Sequence, residues 1–147
     1  MPVDVVTEIV IDRPREEVAA FAADPANATA WYKNIRSVTQ ETEGPTTVGS
    51  RTRFSAQFLG RTLDYTYEVR VSDPGRRFVM STSDGPFPME TTYTWDDAEP
   101  GVTRMTLRNR GEPTGFARIS APLMARAMRR ANQADLEQLK QLLEDAG

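Results

Sequence analysis

Residues 102–143 read VTRMTLRNRGEPTGFARISAPLMARAMRRANQADLEQLKQLL, and the change of period inside this stretch decides the fold. Before Gly111 the pattern alternates, with Met105, Leu107 and Asn109 opposing Arg104, Thr106 and Arg108. That is the period of a half-buried strand. After Gly111-Glu112-Pro113-Thr114-Gly115 the spacing becomes helical. Ile119, Leu123, Ala127, Ala131 and Ala134 follow one stripe, joined by Met124 and Met128 and then by Leu136, Leu139, Leu142 and Leu143. Ser120 is placed to cap this helix, with Pro122 in its first turn; the alternative is a helix that begins near Phe116 and is kinked by Pro122. From Ala121 to Asp145 alone it spans about 37 Å at ~1.5 Å per residue, enough to cross a sheet.

Toward the N-terminus the alternation continues. Met89, Thr91, Tyr93 and Trp95 alternate with Glu90, Thr92, Thr94 and Asp96, and Leu63, Tyr65, Tyr67, Val69 and Val71 with Asp64, Thr66, Glu68 and Arg70. Phe54, Ala56 and Phe58 face away from Arg53, Ser55 and Gln57. Turn signals separate these runs at Glu43-Gly44-Pro45, Leu59-Gly60, Asp73-Pro74-Gly75, Asp84-Gly85-Pro86 and Glu99-Pro100-Gly101. Val3 to Asp12 reads as a first strand with Val5, Thr7, Ile9 and Ile11 on one face. Two short helices follow. The first starts at Arg13-Pro14-Arg15-Glu16-Glu17, where proline and acids suit a first turn, and the second opens at Asp24-Pro25 and runs toward Trp31 and Tyr32. The expected fold is α+β: one antiparallel sheet, wet on one face, with two short helices after the first strand and a long C-terminal helix over the other. Residues 1–147 are read as a single domain, since no repeat, linker or low-complexity segment divides them.

Composition narrows the function. The 147 residues are 39% hydrophobic and 27% charged, with a formal charge of -3. No nucleic-acid partner is expected from that balance. No apolar run approaches the ~20 residues needed to span a bilayer, so no stable membrane insertion is expected. Met1-Pro2-Val3-Asp4 leads straight into strand-like sequence, and the expected location is cytoplasmic. Cysteine and histidine are both absent. That removes thiolate chemistry, the commonest general base and the commonest metal ligand, and neither a metal nor a cofactor is expected.

The element order resembles the helix-grip fold of the START/Bet v 1-like (SRPBCC) superfamily, and more closely the bacterial polyketide cyclase/dehydrase and lipid transport family. The resemblance covers essentially the whole chain. It is carried by Ile11-Asp12-Arg13-Pro14 with Val18, by Asp24-Pro25 followed by Trp31, and by Val48-Gly49-Ser50-Arg51. Asp73-Pro74-Gly75-Arg76-Arg77-Phe78, Gly85-Pro86-Phe87 and the helix ending Asp135-Leu136-Glu137-Gln138-Leu139-Lys140 complete it. These are turn, cap and packing residues. The resemblance therefore implies a curved sheet gripping a helix around a cavity, and not a particular reaction.

The covered face supplies the candidate ligand-binding residues. From the strands these are Phe54, Phe58, Tyr65, Tyr67, Met89, Thr91, Tyr93, Trp95, Met105 and Asn109; Met124 and Met128 face them from the helix, with Phe87 and Trp31 near an entrance. The same periodicity also describes an ordinary filled core. A long helix standing off a curved sheet favours a cavity, and methionines suit an adaptable lining. No catalytic residue is assigned, because Arg53, Arg70, Arg104 and Arg108 all alternate outward, away from the phenols. Arg126, Arg129 and Arg130 share a helix face, with Arg118 earlier, and either pair with acids elsewhere or form a docking patch for an anionic headgroup or partner. Glycines before Arg53 and at Gly60-Arg61 mark turns and match no phosphate-binding fingerprint.

Three functions follow. A carrier or sensor binds a hydrophobic small molecule such as a lipid, polyketide or isoprenoid, as monomer or homodimer, in an apolar cavity without a converging acid/base pair. An aromatase/cyclase-type enzyme needs at least one perturbed titratable group beside the apolar wall. A co-chaperone-like or ribosome-associated interaction module has a filled core and a large exposed patch.

Overall fold

The computed structural model describes residues 3–58, 60–84, 87–113 and 116–146, without the side chains of 58 and 116–118. Leu59, Gly85, Pro86, Thr114 and Gly115, on which three turn expectations fall in part, lie outside the described residues. Strand β1 (Val3–Ile11) is followed by helix α1 (Arg15–Ala22), a 3-10 turn (Pro25–Asn27) and helix α2 (Ala28–Trp31). Strands β2 (Ile35–Gln40), β3 (Arg51–Phe58), β4 (Arg61–Asp73), β5 (Arg77–Thr82), β6 (Met89–Glu99) and β7 (Val102–Gly111) precede helix α3 (Phe116–Ala146). All seven strands form one curved antiparallel sheet in the order β1-β7-β6-β5-β4-β3-β2. This is the helix-grip arrangement.

Local chemistry sets the short elements. Pro14 stands at the N-cap of α1 with extended backbone, and Glu16 and Glu17 occupy the first turn. The Asp24 carboxylate accepts the Ala26 N–H at 3.0 Å, capping the 3-10 turn that Pro25 opens. Arg15 ties α1 to the β4–β5 turn and to β6, donating to the Gly75 carbonyl at 2.9 Å and to Asp97 at 3.2 Å. Gly75 has φ +78 there, a conformation that strongly favours glycine.

The outward arginines of the edge pair meet acids, Arg104 with Glu8 and Arg108 with Asp4. On the inner face alternation holds along β1, β3, β6 and β7. On β4 it breaks. A register shift between Val69 and Val71 buries Val69 and turns Val71 outward, so the inward run ends two residues before the sequence pattern does.

Helix α3 starts at Phe116, contains Pro122, and is not capped at Ser120. Its buried side is also rotated from the apolar stripe. Ile119 and Leu123 are 80% and 64% exposed, whereas Ala121, Asn132, Asp135, Leu136, Leu139 and Leu143 are buried. Apolarity alone drew the stripe through Ile119 and Leu123; the helix in fact buries a line that two polar residues interrupt. The C-terminal half seals one end of the sheet, where Leu136, Leu139 and Leu143 join Ile11, Val18, Trp95, Met105 and Leu107 in the core. The N-terminal half meets a smaller cluster of Val3, Val5 and Phe87 through Ala121.

Leu139→Ala is expected to cost about 2–5 kcal/mol in urea unfolding, the range for truncating a buried leucine. Leu123→Ala should change stability by less than ~0.5 kcal/mol. The reverse ranking would show that the helix is rotated as the apolar stripe alone suggests.

Candidate functional site

Between the sealed end and the smaller cluster lies a cavity of about 720 Å³, within the range of small-molecule sites. Its floor is the inner face of β3 to β7, its roof is α3 from Ser120 to Asp135, and its side is the α1–α2 segment. Asp24, Asn34, Gln57, Arg61 and Ser120 line it while remaining exposed, which puts the rim between the α1–α2 turn, the β3–β4 hairpin and the start of α3.

Of the candidate residues, Phe54, Tyr65, Tyr67, Met89, Thr91, Tyr93 and Asn109 line the cavity from the strands, and Met124 and Met128 from the helix. Trp31 and Phe87 also line it but are only 1% and 3% exposed; they belong to the wall rather than to an entrance. Phe87 keeps its place because β7 offers no side chain there. A Cβ on Gly111 would come within 2.5 Å of the Phe87 ring. Trp95 and Met105 are not in the lining. They face the same side as Tyr93 and Leu107 but pair with each other further along, under the sealed end of α3. The Phe58 side chain lies outside the described residues.

The lining includes Tyr32, Asn132 and Asp135, which periodicity did not single out. A signal for two of them existed. Met124, Met128, Asn132, Asp135 and Leu139 follow one another at spacings of four, four, three and four, the period of a buried helical line. A polar residue on such a line needs a partner or a purpose.

Polar groups gather in two places. On the floor, the Thr91 hydroxyl donates to Asn109 Oδ1 at 3.3 Å, and Tyr67 hydrogen-bonds Thr91. At the side, the hydroxyls of Tyr32 and Tyr93 hydrogen-bond each other, and Asp135 Oδ1 accepts the Lys33 backbone N–H at 3.0 Å. Burial pushes the Tyr67 phenol up to about 12 and raises Tyr32 and Tyr93 as well. These phenols are neutral at physiological pH and act as hydrogen-bonding groups. Burial also raises the Asp135 carboxyl from 3.8 to about 6, a rise only partly opposed by the Lys33 N–H and charge. No Arg–Asp135 ion pair is present among the described residues.

A family model described as "Polyketide cyclase / dehydrase and lipid transport" matches residues 2–144, and the chain belongs to that family. Curated protein sequences return no significant match. Among solved structures, a protein from Thermus thermophilus superposes with a TM-score of 0.82 at 22% identity, covering 98% of this chain and 99% of that one. A START superfamily protein from Mycobacterium smegmatis gives 0.84 at 12% identity, with 98% and 99% covered. The Zhui aromatase/cyclase of a Streptomyces species gives 0.82 at 16% identity, with 98% and 94% covered. Identities this low speak for the fold alone.

The raised Asp135 carboxyl has a consequence for stability. The folded protein holds this proton more tightly than the unfolded chain, so the contribution of Asp135 to stability is fullest below 3.8 and is lost as pH rises through about 6. Asp135→Asn keeps an acceptor for Lys33 and removes the buried charge. It should therefore be more stable than the parent at pH ~8, by on the order of 2 kcal/mol, with the difference closing by pH ~4. Thermal melts of both proteins across that range measure it. A variant less stable at pH ~8 would show that the carboxylate is better satisfied than its burial implies.

Proposed function

We propose that this member of the polyketide cyclase / dehydrase and lipid transport family binds a hydrophobic small molecule in the cavity between sheet and C-terminal helix, as a carrier or sensor. The observation that carries the reading is the cavity itself. About 720 Å³ enclosed by Phe54, Phe78, Phe87, Met80, Met89, Met124 and Met128 is apolar surface that only an apolar occupant keeps from water. An interaction module with a filled core fits this poorly.

The occupant is expected to carry a carbonyl or hydroxyl. Asn109 Oδ1 is held by Thr91, which leaves the amide NH2 of a half-buried, cavity-lining side chain to donate to the ligand. Candidate contacts are Trp31, Phe54, Tyr65, Tyr67, Phe87, Met89, Thr91, Tyr93, Asn109, Met124 and Met128. Trp95 and Met105 act one layer back, through packing.

One observation favours a second reading, an aromatase/cyclase-type enzyme. Asp135, with its carboxyl at about 6, sits beside the Tyr32–Tyr93 hydroxyl pair, and a carboxylate so tuned is matched to general-base work near neutral pH. Against it, the neighbouring phenols are pushed away from ionisation rather than toward it. Asp135→Asn separates the two. A carrier retains its ligand affinity with nothing else to lose, and an enzyme loses turnover while still binding.

Native mass spectrometry of gently purified protein, followed by titration with the neutral fluorophore N-phenylnaphthylamine, tests the binding reading. An adduct that extracts into organic solvent, or a saturable rise in fluorescence, is expected. Ala56→Trp, which fills the cavity from β3, should weaken probe binding at least ~10-fold while the circular dichroism stays unchanged. A clean apo mass with no probe uptake would sink the proposal.

A further inference from the structure

The start of α3 carries a surface that ligand binding does not use. Ile119 and Leu123 are the two most exposed large hydrophobic side chains among the described residues. Arg126 and Arg130 continue the same face at seven and eleven residues from Ile119, with Arg129 flanking. All three arginines are exposed, and none forms an ion pair among the described residues. From Phe116 to Ala134 the helix has four arginines and no acid, in a chain whose formal charge is -3.

We infer that this face docks peripherally on an anionic lipid bilayer, with Ile119 and Leu123 entering the interface and the three arginines meeting phosphate headgroups. Charge complementarity and placement both favour that occupant. Two protruding side chains offer far less apolar area than the ~800 Å² per partner of a stable protein interface, but they suit a shallow anchor assisted by charge. Long guanidinium side chains reach headgroup level while their stems lie along apolar surface. The patch also borders the cavity. Ser120 and Met124, next to Ile119 and Leu123 in sequence, line it, so docking brings the rim to a reservoir of apolar molecules. No described helix is long and apolar enough to cross a membrane, so the contact is superficial. Docking requires no ligand in the cavity and can be tested separately from the binding reading.

The test is co-sedimentation of the full chain with vesicles of phosphatidylcholine alone or mixed with phosphatidylglycerol. Association with the mixed vesicles only, weakening with salt, is expected. Replacing Arg126, Arg129 and Arg130 together by Gln should lower partitioning by about fivefold per arginine, roughly a hundredfold in all. Leu123→Glu should reduce it at unchanged melting temperature. Arg76→Gln with Arg77→Gln, at the β4–β5 turn, is the control for net charge and should leave partitioning within about twofold. The proposal is overturned if anionic vesicles are ignored, if the triple variant binds as well as the parent, or if the control loses as much. Binding of this face to polyglutamate but not to vesicles would overturn it too, and would assign the surface to an acidic protein.

Discussion

The structure depends on one packing constraint, the seal between the C-terminal half of α3 and the closed end of the sheet. Leu136 and Leu139 are fully buried among Trp95, Met105, Leu107 and the α1 residue Val18. The seal is locked at the free edge of β1. Lys140 donates to the Val10 carbonyl at 2.8 Å and to Glu144 at 2.6 Å, and Glu144 accepts the Asp12 N–H at 2.9 Å. An edge strand with open hydrogen-bonding groups invites pairing with another chain, and here the helix occupies some of them. Anchored at that end, the helix has its direction fixed, and its N-terminal half must pass over the sheet. The residues it presents there are Met124, Met128, Ala131 and Asn132 rather than large branched side chains, so the space beneath stays unfilled. The cavity follows from the seal.

Burial then decides what the polar groups in the cavity can do. The four phenols Tyr32, Tyr65, Tyr67 and Tyr93 are raised by desolvation, which keeps them neutral and makes each a donor and an acceptor at once. Asp135 is different, because near neutral pH it keeps a charge that its surroundings disfavour. A buried carboxylate with one backbone N–H partner is a poor stabiliser of the fold. Its place on the buried line of α3, one turn from Asn132, puts it where it meets whatever occupies the cavity. The titratable carboxylate therefore lies on the helix–α2 side of the cavity, and the Tyr67–Thr91–Asn109 hydrogen bonds lie on its floor.

How much of this was legible in the sequence divides along a physical line. Strand alternation is rigid, because successive side chains must point to opposite faces, so the inward set Phe54, Tyr65, Tyr67, Met89, Thr91, Tyr93 and Asn109 could be read directly. Alternation carries no information about depth. Trp95 and Met105 obey the same parity as Tyr93 and Leu107, and only the landing point of α3 separates packed core from open wall. The bulge at Val69/Val71 was hidden for a related reason: both residues are valine, and nothing local marks the shift. The helix was harder still. Its rotation was judged from apolar residues, and the face that meets the sheet contains Asn132 and Asp135. The polar members of the site that α3 contributes were thus the ones that composition concealed.

The helix that makes the cavity is also divided in charge along its length. In the C-terminal half, Asp135, Lys140 and Glu144 have partners within the fold, Asp135 with the Lys33 N–H and Lys140 and Glu144 with the end of β1. In the N-terminal half Arg126, Arg129 and Arg130 are exposed, as are Ile119 and Leu123, with like charges at i+3 and i+4. Each unfavourable pairing is worth only a few tenths of a kcal/mol, and a fold sealed elsewhere tolerates them. Since the main seal lies at the far end of α3, this half packs only the smaller cluster around Ala121. Its outer surface is therefore free to be shaped by what meets the rim of the cavity rather than by folding.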